Sequence, residues 1–162
     1  MKKCFLILFV FASLSSFSQT DYSKISMVKD ADYKPAEKYA LEASNYALSK
    51  PLDANDKQRA AATDFLHKWM EGTPDYTYAI EMPLVSKLNS ENEGLMGVYF
   101  AGMTKFSLEN TAKAQDADLV MVSGIKTMLA YSEKPENKVV LSETLKRLIE
   151  LNKKGELEKL FR

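Results

Sequence analysis

An all-α fold of about six helices is predicted by three observations. Apolar residues recur at three- and four-residue spacing in six successive segments, proline and glycine punctuate the intervals, and no alternating apolar runs flank a hairpin turn. The segments pair in order as three antiparallel hairpins, arranged as a tetratricopeptide-like stack or a helical bundle. Pro51 and Pro83 lie close to the period of about 34 residues typical of that repeat, but its signature residues are mostly missing. The likeness is one of shape.

The first helix is predicted over 35–49, with Asp32 as a cap and Pro35 in the first turn. Ala36, Tyr39, Ala40, Ala43, Tyr46 and Ala47 recur along it at helical spacing, making it rich in small residues. Pro51, Asp53 and Asn55 then punctuate. A second helix over 56–71 carries Ala62, Phe65, Leu66, Trp69 and Met70 on one side, and Gly72 stops it. Thr73, Pro74 and Asp75 read as a second cap-plus-proline start, giving a third helix over 73–89 that Pro83 kinks or breaks.

The fourth helix, over 90–109, opens with Ser90 and Glu93 in capping-box spacing. Leu95, Met96, Val98, Tyr99, Phe100, Met103 and Phe106 fall on nearly every side of it, so other helices must surround it. Gly94, Gly97 and Gly102 are expected inside this helix at close helix contacts, Gly97 sharing its face with Ala101. A fifth helix spans 112–131 with Ala117, Met121, Ile125 and Met128 in line and Asp116 and Asp118 near its positive end. A sixth, over 138–154, turns Leu141, Leu145, Leu148 and Ile149 inward. Gly155 ends it before a short terminal turn.

At the N-terminus, Lys2 and Lys3 precede an apolar run over 5–14 and the small polar residues Ser15, Ser16 and Ser18, the order of a secretory signal peptide. The run is too short to cross a bilayer, and Lys68 or Lys105 interrupts the later apolar candidates. The organisation expected is therefore a signal peptide over 1–18, a flexible lead-in over 19–34 and a single helical domain over 35–162. The product is exported, to the periplasm or beyond. Cys4, at the front of the apolar run and not at a cleavage point, is no lipid-attachment site, and its removal leaves no thiol.

The 162-residue chain balances 22 basic against 22 acidic residues. Loss of Lys2 and Lys3 leaves a net charge of −2, which disfavours nucleic acid and anionic membrane as partners. Composition does not set the oligomeric state.

His67 is the one histidine, with Asp64 three residues before it and Glu71 four after. A di-iron bundle needs its Glu-x-x-His element twice plus two more inward carboxylates, so one Asp64-x-x-His67 makes no metal site, and an exposed or boundary histidine is the preferred reading. Asp53, Asn55 and Asp56 approach calcium-loop spacing, but Lys57 occupies the next ligand position and the required glycine is absent. Helix capping explains them better. Glu91 and Glu93, like Asp116 and Asp118, stand two apart and so diverge on a helix, which defeats a shared acid/base role. Ser123-Gly124 lacks a nucleophile-elbow context, and no phosphate-cradling loop appears. No catalytic residue, cofactor or metal is expected.

Aromatic residues remain. Trp69, Tyr76 and Tyr78 flank one loop and, with His67, are the candidate contacts for a partner or ligand, set against the alternative that the tyrosines pack between helices. Thr73-Pro74-Asp75-Tyr76-Thr77, the run from Leu95 to Lys105, and the run from Lys153 to Glu158 together resemble small exported helical proteins of the Bacteroidota. That resemblance implies an all-helical fold and no activity. The function expected is an exported module that binds a protein or peptide of the cell envelope without catalysis. The alternative is a small-molecule binder or cryptic enzyme with a pocket between helices.

Overall fold

The computed structural model describes residues 20–161, and the expected signal peptide lies outside them. Among the described residues there are six α-helices and no strand: α1 (Asp30–Ser49), α2 (Lys57–Gly72), α3 (Met82–Glu91), α4 (Leu95–Glu109), α5 (Ala117–Ser132) and α6 (Glu143–Lys153). Short 3-10 turns occur at Tyr22–Lys24, Pro135–Asn137 and Leu157–Leu160. No helix of the described residues is long and apolar enough to cross a membrane.

Three helix starts follow from side-chain caps that answer otherwise unpaired N–H groups. Asp56 accepts from the Arg59 N–H at 2.9 Å, Asp116 from that of Leu119 at 3.0 Å, and Ser142 from that of Leu145 at 3.3 Å. Gly155, with φ +69°, follows α6 in the left-handed conformation.

Elsewhere the boundaries differ from the sequence reading, each for a local reason. Helix α1 begins at Asp30, so Asp32 is the third residue of its first turn and not the cap, and its carboxylate accepts from the N–H groups of Val28 at 3.0 Å and Lys29 at 3.1 Å. Pro35 is thus interior to the helix. The lead-in is anchored by Tyr22, which is buried and stacks on Phe65 with centroids 5.1 Å apart. Residues 73–81 form an extended segment in place of a helix, and Pro83 falls in the first turn of α3. A proline there costs no hydrogen bond, because first-turn N–H groups have no helical partner.

The Ser90–Glu93 capping box does not form. Ser90 donates to the Lys87 carbonyl inside α3, and Asn89 accepts from the N–H groups of Gly94 and Met96, both at 3.1 Å. Gly94, at φ +94°, makes the reversal that a side chain would oppose, and α4 starts after it. Residues 111–115 are turns, which delays α5 to Ala117. Before α6 the chain runs non-helically from 138 to 142, leaving Val140 69% and Leu141 38% exposed, so Leu141 does not face inward. Asn92 holds that run from both sides of its amide, donating to the Val140 carbonyl at 3.0 Å and accepting from the Val140 N–H at 2.7 Å.

Helix α4 is the centre of the packing, contacting α1, α2, α3 and α5, while α6 packs on α5 at the periphery. Close approach is permitted by small residues. On α1, Ala36, Ala40, Ala43 and Ala47 are all buried, forming a thin stripe at three- and four-residue spacing. A Cβ at Gly97 would lie 2.5 Å from Thr63 Oγ1 of α2, and one at Gly102 would lie 2.7 Å from Thr127 Cβ of α5. Five residues apart, the two glycines point about 140° from each other, so α4 is held at close range on two sides. In return, Gly124 of α5 leaves room for Met103 and Tyr99 of α4.

Arg59 links three helices. Its Nη1 donates to the carbonyls of Ala47 at 2.6 Å and Lys50 at 3.0 Å, closing the end of α1. Its guanidinium lies 5.7 Å from the ring centre of Tyr131, whose hydroxyl donates to the same Lys50 carbonyl at 2.6 Å.

Because the Gly97 position has no space for even one methyl, Gly97→Leu is predicted to cost about 1–3 kcal/mol through overpacking. Urea denaturation monitored by Trp69 fluorescence measures this, and an unchanged midpoint would contradict the close contact.

Candidate functional site

A groove of about 390 Å³ opens between the first half of α2 and the α3–α4 junction. Ala60, Asp64 and His67 come from one face of α2, since residues three and four apart are neighbours on a helix surface. Asn89, Glu93 and Gly94 come from the turn before α4, and Met96, Gly97 and Phe100 from its first two turns. The Gly97–Thr63 contact brings the two walls together at the floor. One side is a ring pair: the His67 imidazole stacks on Phe100 with centroids 5.4 Å apart and planes 19° from parallel. Phe100 is buried beneath, and His67 is exposed with Nε2 3.4 Å from a Glu71 carboxylate oxygen.

Four carboxylates border the groove, and they divide by their bonding. Asp56 caps α2 and accepts from the Tyr46 hydroxyl at 3.2 Å, and Asp53 accepts from the Asn55 N–H at 2.9 Å. These two serve the local fold, as the capping interpretation of the 53–56 stretch expects. Asp64 and Glu93 are exposed and have no hydrogen-bond or ion-pair partner among the described residues. Arg59 lines the inner end, where its Nη1 is engaged by α1 and its buried Nη2 makes no hydrogen bond.

Of the four residues singled out in the sequence, the groove contains His67 alone. Trp69, Tyr76 and Tyr78 meet in the interior on the other side of the loop they flank, with centroid separations of 5.7, 6.3 and 6.5 Å. Trp69 is fully buried, its indole N–H donating to the Tyr33 carbonyl at 3.3 Å. Tyr76 is buried too, and its hydroxyl donates to Glu37 at 3.3 Å. Burial raises the Tyr76 phenol above its ordinary range, with the Glu37 charge adding to the effect.

Tyr78 is bonded differently. Burial drives its phenol far above the ordinary tyrosine range, and Ser107 and Thr104 are near enough to temper the rise. Yet the Tyr78, Thr104 and Ser107 hydroxyls are all buried without a hydrogen bond in good geometry. Each such group costs about 1–3 kcal/mol relative to its solvated form.

Among the described residues, no group of three or more His, Cys, Asp or Glu side chains is placed to hold a metal. The groove-lining residues that the sequence reading missed are Glu93, Phe100 as the shelf for His67, and Arg59. Phe100 and His67 are 33 positions apart, and no local pattern announces that pairing. Arg59 carried a signal, being a charged residue three after a capping Asp in an otherwise alanine-rich turn.

Comparison with protein-family models, with curated proteins and with solved structures found no match.

Proposed function

We propose that this chain is an exported helical module that binds a protein or peptide partner of the cell envelope through the α2/α4 groove. The observation that carries the proposal is the pair of unpartnered carboxylates, Asp64 and Glu93, at the mouth of a groove walled by the stacked His67 and Phe100 rings. A basic side chain on an extended peptide complements that arrangement: its charge meets the carboxylates and its aliphatic stem lies against Met96 and the ring pair. A helical-hairpin face of this kind, of the general shape that tetratricopeptide stacks offer, suits peptide docking. The resemblance to exported Bacteroidota proteins and the basic–apolar–small order of residues 1–18 support export, with cleavage after Ser18.

Panning a random-peptide display library against the purified exported chain tests the binding proposal. Enriched peptides should carry Lys or Arg, shift the backbone NMR signals of Asp64, His67, Glu93 and Gly97, and bind at least about tenfold more weakly to the Asp64→Lys/Glu93→Lys variant. Loss of one favourable exposed or half-exposed charge pair is worth up to about 1 kcal/mol, and reversing two charges doubles or triples that. Enrichment of peptides without basic residues, or equal binding to the variant, would overturn it. N-terminal sequencing of the product recovered from the cell envelope or medium should begin Gln19-Thr20, and a chain retaining Met1 would refute the export claim.

A further inference from the structure

We infer that residues 73–81 form a lid that opens while the helices stay folded, uncovering Thr104 and Ser107 of α4. The segment shares no residue with the groove. Its ends are fixed: the Thr73 N–H donates to the Trp69 carbonyl at 3.0 Å as α2 finishes, and the Met82 N–H to the Ile80 carbonyl at 2.9 Å as α3 begins. Between them, residues 74–79 make no main-chain to main-chain hydrogen bond.

The middle is held by Tyr76 in the core and by Tyr78, Ala79 and Ile80 packed against it, with few polar bonds. Gln115 donates to the Asp75 carbonyl at 3.3 Å, Tyr76 to Glu37 at 3.3 Å, and the Glu81 N–H to the Tyr99 hydroxyl at 3.5 Å. Lys34 stands 3.6 Å from Asp75 with both side chains largely exposed, a pair that water and salt weaken. An open cleft of about 540 Å³ borders the segment at Pro74, Asp75 and Tyr76.

The underside supplies the drive. When the lid is closed, the Tyr78, Thr104 and Ser107 hydroxyls lie beside one another, buried and without a hydrogen bond in good geometry. Opening hydrates all three at once. Against this stands the loss of the Trp69–Tyr76–Tyr78 ring contacts, which keeps the closed form dominant. Thr104 and Ser107, three apart on one face of α4, then present two neutral hydroxyls beside the newly exposed wall, a polar uncharged surface unlike the acidic groove. Local opening of this kind draws on the weakly bonded parts of a fold and leaves the core intact.

Thiol accessibility tests it. In a Cys4→Ser background, Ser107→Cys and Thr104→Cys each place one reporter beneath the lid, and Ser44→Cys, on the buried face of α1, reports global unfolding. Both lid reporters are expected to react with an aromatic disulfide reagent at least about 100-fold faster than the Ser44 reporter, at rates insensitive to low urea. Adding Tyr78→Phe, which removes one stranded hydroxyl from the closed form, should slow them by about tenfold. Reaction of both reporters at the Ser44 rate, or acceleration by Tyr78→Phe, would overturn the inference. Two reporters guard against one variant failing to fold.

Discussion

Helix α4 approaches α2 at Gly97 and α5 at Gly102 so closely that neither position has space for a Cβ, and this double contact organises the molecule. A glycine inside a helix costs about 0.5–1 kcal/mol relative to alanine. Each large apolar side chain of α4 that becomes buried returns about 1.5–3 kcal/mol, and Leu95, Val98, Tyr99, Phe100 and Met103 are all buried. The comparison favours the close-packed arrangement by a wide margin. It also explains why α4 has almost no polar face: with helices on several sides, there is no direction in which charge would meet water.

Both features with functional interest descend from that packing. The groove exists because Gly97 draws α2 onto α4 at one level, while the reversal at Gly94 and the turn at Glu93 keep the chain apart just above it. The lid exists because the chain leaving α2 runs extended to α3 past Thr104 and Ser107, about two turns along α4 from Gly97 and on nearly the same face. Arg59, at the edge of the groove, fastens α1, α2 and α5 together.

The helical class, the inward faces of α1, α2 and α5, and the glycine contacts were legible because each rests on three- and four-residue periodicity or on a local cap such as Asp56. The misplaced boundaries share a different cause. Pro35 and Pro83 are compatible with more than one position near a helix start, and at α1 the bonds that Asp32 accepts from the Val28 and Lys29 N–H groups set the start earlier. The Ser90–Glu93 spacing satisfies a capping rule, yet Ser90 lies inside α3, and Asn89 answers the Gly94 and Met96 N–H groups where α4 begins. Leu141 reads as inward on a helix that, in fact, starts after it. The groove was least legible, since its ring pair and its acids come from segments that meet only in three dimensions.

The double-mutant cycle of Gly97→Ala with Thr63→Ala probes the central contact most directly. Thr63→Ala removes the two atoms nearest the added methyl, Oγ1 at 2.5 Å and Cγ2 at 2.9 Å. Gly97→Ala alone should destabilise the chain, and the second change should recover most of that loss, with a coupling of about 1–2 kcal/mol in urea denaturation. Strictly additive effects, or stabilisation by Gly97→Ala in the presence of Thr63, would show that α2 and α4 do not meet there.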